Sequence, residues 1–119
     1  MAYQDEDEFK SLPVMTLEEL AKHTGKDGGA ICIAVDGLVF DVTPAAKLYG
    51  PGGNYHVFAG RDATRALAVN STKLTDVVDR PGDKSGLTAS QLVALDGWLD
   101  TFEAKYKVIA RLSSKGGKL

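Results

Sequence analysis

Ala30-Ile31-Cys32-Ile33-Ala34-Val35-Asp36-Gly37-Leu38-Val39-Phe40-Asp41-Val42 carries the first decision about the fold. Two β-rich apolar runs flank Asp36-Gly37, a dipeptide suited to the positive φ angles of a tight hairpin turn. A two-stranded hairpin is marginal in water, so residues 30–42 must pack on other elements. On the N-terminal side, Thr16-Leu17-Glu18-Glu19 fits a capping box, with Leu17, Leu20 and Ala21 on one face of a short helix that Gly25 ends. On the C-terminal side, Thr43-Pro44 opens a helical turn. Tyr49-Gly50-Pro51-Gly52-Gly53-Asn54-Tyr55 follows as a loop. Its glycines are expected to allow close backbone approach to a flat ligand.

Further along, the spacing predicts a helix over residues 57–69 and a long polar surface loop over residues 70–86, which contains Pro81. Thr88-Ala89-Ser90-Gln91 is a second capping box. Leu92, Leu95, Trp98, Leu99 and Phe102 form the apolar stripe of the helix that it opens, and Trp98 and Phe102 are expected in the core. Val108-Ile109-Ala110 reads as a terminal strand. Residues 1–12, with the run Asp5-Glu6-Asp7-Glu8, read as a solvated, mobile arm. Residues 13–112 form the single folded domain, and residues 113–119 a flexible basic tail.

Composition bounds the function. The chain has 119 residues, 44% hydrophobic and 25% charged, enough for one ordinary core. Its longest apolar run, Ala30 to Val35, has six residues, against about 20 for a spanning helix. A net charge of −2 argues against a broad nucleic-acid surface. Cys32 is the only cysteine, which excludes an intrachain disulfide and a multi-thiolate zinc site; its apolar setting makes it an inert core thiol. His23 and His56 are too few for a histidine-rich metal cage. The glycine loop lacks the Gly-Lys-Ser/Thr ending of a phosphate loop.

Val39-Phe40-Asp41-Val42-Thr43, Leu48-Tyr49-Gly50-Pro51-Gly52-Gly53-Asn54-Tyr55 and Val57-Phe58-Ala59-Gly60-Arg61-Asp62-Ala63-Thr64-Arg65-Ala66-Leu67-Ala68 occur in that order. With Asp96-Gly97-Trp98 and Phe102-Glu103-Ala104-Lys105-Tyr106, they resemble the membrane-associated progesterone receptor family, a group of cytochrome b5-like haem/steroid-binding domains. The resemblance covers about residues 14–112. It implies an α+β, cytochrome b5-like fold, with a small mixed sheet and short helices enclosing a pocket. Cytochrome b5 itself carries a haem-ligand histidine before Pro-Gly-Gly, where this chain has Gly50. The second ligand histidine is also missing from Val69-Asn70-Ser71-Thr72. Bis-histidine electron transfer is therefore disfavoured.

The resemblance implies instead that Tyr55 binds the iron of ferric haem b as a phenolate, a known axial ligation. It places Tyr49, Lys105 and Tyr106 around the pocket. Tyr49 and Tyr106 would hydrogen-bond or stack near the ligand, and Lys105 would lie near the haem carboxylates or the phenolate. His56 departs from the family pattern and is a rival ligand or a support for Tyr55. Adjacent side chains point different ways, which favours Tyr55. Bland readings stand beside these: Tyr49 as core packing, Lys105 as the complement of a helix C-terminus, and Arg61 and Asp62 as a structural pair or cap.

The implied function is non-covalent haem binding without catalysis. The protein would act as a haem-dependent adaptor or chaperone for microsomal haem-thiolate monooxygenases, including those of sterol synthesis. A haem-stacked homodimer is a further implication. The alternative is a haem-independent steroid-binding or protein-interaction module. The implied location is the cytoplasm or the cytosolic face of the endoplasmic reticulum.

Overall fold

The computed structural model describes residues 6–78 and 82–113. Four strands form one mixed sheet: β1 (Val14–Met15), β2 (Cys32–Val35), β3 (Leu38–Asp41) and β4 (Lys107–Leu112), in the order β1-β4-β3-β2. β1 runs parallel to β4, and the other neighbours are antiparallel. The expected hairpin is present. Asp36 and Gly37 sit at φ 48° and 87°, the left-handed backbone that a two-residue turn of this hand requires.

The hairpin is buried on both faces, and strand alternation sorts its side chains. Ile31, Ile33, Val35, Leu38 and Phe40 join the larger core cluster; Cys32, Ala34 and Val39 join a smaller one beneath Leu20 and Ala110. Burial on two sides explains the unbroken apolar run of residues 30–35, which a sheet with one wet face would interrupt with polar residues.

The remaining elements are helical and short until the last helix.

 Side chains therefore reach the core from many brief elements. α2 (Leu17–Leu20) has the expected capping box, with the Thr16 hydroxyl accepting from the Glu19 N–H and the Glu19 carboxylate from the Thr16 N–H. α3 (Ala46–Tyr49) follows the turn at Thr43–Ala45. α6 (Ala89–Lys105) has the second capping box at Thr88 and Gln91, and it buries Leu95, Leu99 and Phe102.

Three expectations are corrected. Residues 6–12 are not a solvated arm: α1 (Glu6–Lys10) brings Phe9, with Leu12 behind it, onto the larger core cluster. The Arg111 guanidinium lies 5.8 Å from the Phe9 ring centroid. The rest of that expected arm, residues 1–5, and the tail from residue 114 onward lie outside the described residues.

The helix expected over 57–69 is broken. A 3-10 turn at His56–Phe58 and α4 (Thr64–Ala68) flank a segment laid along the edge of β2. The Gly60 N–H donates to the Cys32 carbonyl, the Ala34 N–H to the Arg61 carbonyl and the Ala63 N–H to the Ala34 carbonyl. Gly60 has φ 71°, and a Cβ there would lie 2.8 Å from Thr24 Cγ2. Bonds to a distant strand override the local helical spacing.

The polar stretch 70–86 is not all loop, because α5 (Leu74–Val78) buries Val77; Pro81 lies outside the described residues. The expected terminal strand 108–110 is present, extends over Lys107–Leu112, and lies inside the sheet between β1 and β3.

Candidate functional site

The last turn of α3 and the glycine loop build one wall of a groove. The Gly50 N–H closes α3 on the Ala46 carbonyl, and the chain then turns back until the Tyr55 N–H donates to the Leu48 carbonyl. This turn-back needs glycine. A Cβ at Gly50 would lie 2.6 Å from the Ala46 carbonyl oxygen, and one at Gly53 would lie 2.3 Å from that of Leu48. The close approach expected toward a ligand is thus made toward the protein's own helix.

The folded-back loop brings two phenols together. Tyr49 and Tyr55 have ring centroids 6.2 Å apart, at 41°. Tyr55 lies parallel to Phe58, again at 6.2 Å. Tyr49 also meets Phe102 at 6.2 Å and Tyr106 edge-on at 6.4 Å. Exposure divides the pair: Tyr49 is 6% exposed and Tyr55 is 41% exposed. Burial, with help from the neighbouring Tyr106 and Tyr55, pushes the Tyr49 phenol up to about 12. Tyr49 is therefore a neutral hydroxyl at physiological pH.

The C-terminal half of α6 supplies the opposite wall. Trp98, Phe102 and Lys105 recur at helical spacing, and Tyr106 follows where the helix ends. Ala66 and Leu67 of α4, with Phe58 and the Asn70–Thr72 segment, also line it. The groove holds about 190 Å³ and opens to solvent. Ligand sites that enclose a small molecule commonly measure about 300–1,000 Å³, so this one fits a flat body only in part.

Four of the five residues anticipated from sequence, Tyr49, Tyr55, Lys105 and Tyr106, line this groove together. His56 does not. Its Nδ1 donates to the Tyr49 carbonyl across 2.8 Å, fixing the ring against the backbone of the loop. Trp98 corrects an expectation: it is 37% exposed and lines the groove, while Leu95, Leu99 and Phe102 fill the core. Leu92, on the same stripe, is 41% exposed. The apolar stripe is wider than the face α6 buries, and spacing alone does not say where the core ends and the groove begins. The helical interval from Trp98 to Lys105 was the available signal for placing Trp98 in the site.

The remaining singled-out residues are structural. Asp62 accepts from the Thr64 N–H at 3.0 Å and so serves the start of α4. Burial raises its carboxyl, and the bonds from Thr64 oppose that shift. Arg61 does not share this work: its guanidinium donates to the Val57 carbonyl at 2.9 Å. Cys32 is fully buried, and burial pushes its thiol up to about 11. His23 Nδ1 bonds the Glu19 carbonyl. Among the described residues no three His, Cys, Asp or Glu side chains form a metal-binding group. No helix there is long and apolar enough to cross a membrane.

Residues 16–107 match the family model of the cytochrome b5-like haem/steroid-binding domain. Membrane-associated progesterone receptor component 2 of Homo sapiens is 39% identical over 117 residues, 94% of this chain and 52% of that protein. Cytochrome P450 regulator dap1 of Schizosaccharomyces pombe is 36% identical over 103 residues, 83% of this chain and 62% of that protein. The chain thus spans about half the length of the first relative and three-fifths of the second. A solved structure of a hypothetical protein from Arabidopsis thaliana, described as having a cytochrome b5 like fold, superposes with a TM-score of 0.76 at 38% identity. That match covers 96% of this chain and 100% of the other.

Proposed function

The chain belongs to the cytochrome b5-like haem/steroid-binding domains, within the membrane-associated progesterone receptor family, and from that membership we infer that its groove binds ferric haem b without a covalent link, through Tyr55. One observation carries the reading. Tyr55 is the exposed phenol on an aromatic groove whose lining contains no histidine.

The donor set suits the group. Ferric iron is a hard cation and favours an anionic oxygen ligand, and tyrosinate is an established haem ligand. Tyr49, held neutral by burial, remains a hydroxyl donor beside it. Trp98 and Tyr106 offer apolar ring surface to a flat macrocycle, with the buried Phe58 and Phe102 behind them, and Lys105 lies at the rim. His56 is engaged with the Tyr49 carbonyl and braces the loop that carries Tyr55. Bound haem would be held through Tyr55 and would supply a ferric iron centre at the groove. The small volume of the groove fits a macrocycle held along one edge.

We extend the reading to a non-catalytic, haem-dependent adaptor for haem-thiolate monooxygenases at the cytosolic face of the endoplasmic reticulum. Its support is the relative named as a cytochrome P450 regulator. The exposed Leu48 and Trp98 at the groove would meet such a partner, or a second haem-loaded copy.

The test is hemin reconstitution of wild type beside Tyr55→Phe and His56→Ala, read by absorption. A high-spin ferric spectrum lost in Tyr55→Phe and kept in His56→Ala is expected. A low-spin spectrum lost in His56→Ala would move the ligand to His56. The absence of a saturable Soret band would overturn haem binding. The same aromatic lining favours one second reading, a steroid site that needs no haem. Steroid affinity in haem-free protein, unchanged by Tyr55→Phe, would select it.

A further inference from the structure

Tyr49 ends α3, and the carbonyls of a last helical turn have no partner within the helix. The Ala46 carbonyl accepts from the Gly50 N–H, and the Leu48 carbonyl from the Tyr55 N–H. Among the described residues no backbone N–H reaches the Tyr49 carbonyl. The His56 side chain does, through Nδ1 at 2.8 Å. A carbonyl oxygen only accepts, so Nδ1 carries the proton. In the neutral ring Nε2 is then the unprotonated nitrogen.

Two successive residues thus grip two successive carbonyls at the end of one helix. The first grip, from the Tyr55 N–H to Leu48 at 2.9 Å, is main-chain and does not depend on the side chain. The second depends on what stands at position 56, because a side chain without a donor at that reach leaves the Tyr49 carbonyl to water. Together they bracket Tyr55. Its ring meets Tyr49 at 6.2 Å and Phe58 at 6.2 Å, yet it is 41% exposed, so packing alone holds it weakly. Tyr49 is 6% exposed and is the fixed point. Tyr55 has φ −113° and ψ 21°, immediately before the 3-10 turn His56–Phe58. These angles aim its side chain, and the His56 bond restrains them from the C-terminal side. The same bond closes the glycine-rich segment 50–53 into a ring, where the main chain is otherwise freest.

We propose that His56 is a positioning residue for Tyr55, acting through its Nδ1–H and the Tyr49 carbonyl and not on the iron. The inference rests on the haem reading and deepens it. One phenol supplies the ligand atom, and the neighbouring imidazole limits where that atom can go. Holding a binding loop in its bound conformation reduces the ordering penalty of association. The role is therefore read in how long haem is retained, with the identity of the ligand unchanged.

The experiment compares the full chain as wild type, His56→Ala, His56→Asn and His56→Gln. Each is loaded with hemin, and release into an excess of haem-free globin is followed at the Soret band. The amides separate the two ring nitrogens: the Asn amide nitrogen stands at the place of Nδ1, and that of Gln at the place of Nε2. His56→Ala is expected to keep the high-spin spectrum and to release hemin about fivefold faster, the loss of one hydrogen bond. His56→Asn restores most of the retention, and His56→Gln does not. Nitrogen NMR of the haem-free wild type is expected to show the His56 proton on Nδ1, a readout that needs no haem. Thermal melts of the haem-free variants report the fold separately. Unchanged release from His56→Ala, whatever its melting point, would overturn this inference alone and leave His56 a structural residue. Rescue by Gln and not by Asn would overturn it too, by moving the role to Nε2. So would a proton found on Nε2 with Nδ1 bare. No saturable Soret band in wild type would overturn the haem reading itself, and the role in retention with it.

Discussion

Gly50 stands at the position where cytochrome b5 has a haem-ligand histidine, and its surroundings show why a histidine cannot simply be returned there. Its φ of −75° suits any residue. The obstacle is space, because a Cβ would lie 2.6 Å from the Ala46 carbonyl oxygen that accepts the bond closing α3. Gly50→His is therefore expected to destabilise the protein by about 1–3 kcal/mol rather than create a low-spin haem site. Thermal unfolding and the hemin spectrum check both halves of that statement. Gly53→Ala is expected to be worse, since the corresponding distance is 2.3 Å and the atom it meets, the Leu48 carbonyl oxygen, also accepts from the Tyr55 N–H. Loss of hemin binding should accompany its loss of stability. The unusual loop was legible in the sequence because glycine and proline act locally. What the glycines make room for was not legible, because the Ala46 and Leu48 carbonyls enter only once the chain has folded back.

At the scale of elements, legibility followed the range of the interactions. The two capping boxes depend on side chains three residues from the backbone groups they serve, and both formed where their sequence placed them. The segment 57–69 depended on bonds to β2, 27 to 29 residues earlier in the chain, and helical spacing misread it. α6 shows both behaviours. Its boundaries were local, but its apolar stripe serves the core through Leu95, Leu99 and Phe102 and the groove through Trp98. Gly97 lies between these roles on an exposed turn, and a Cβ there would meet nothing within 4 Å. Gly97→Ala is expected to stabilise the protein by about 0.5–1 kcal/mol, raising the thermal midpoint by a few degrees without changing hemin affinity. Thr88→Ala should lower stability by about 1 kcal/mol through loss of the cap. Paired thermal melts and hemin titrations separate these scaffold effects from effects on the site.

The whole molecule is tied together by β4, which pairs with both β1 and β3 although it comes last in the chain. That placement was invisible to local pattern: residues 108–110 read as a strand, but nothing nearby named its partners. Cys32 offers a way to follow the cooperative unit this sheet creates. It is fully buried in the smaller core cluster, beneath Leu20, and burial pushes its thiol up to about 11. A thiol reagent needs the thiolate and access to it, and the native fold withholds both near pH 8. Labelling is therefore expected to wait on opening of the sheet, with a denaturant dependence close to that of global unfolding. A ligand that binds only the folded chain lowers the open population by mass action, by about 2.7 kcal/mol when it is present at 100 times its dissociation constant. Where opening and closing are fast relative to labelling, hemin at that excess should slow Cys32 modification about a hundredfold. Tyr55→Phe should abolish the protection while leaving the haem-free labelling rate nearly unchanged, because Tyr55 lies at the exposed rim and not among the residues that bury Cys32. Rapid labelling of native wild type would show that the sheet opens locally around β2. Equal protection in wild type and Tyr55→Phe would show that hemin stabilises the fold without the phenolate, and would remove Tyr55 from the iron.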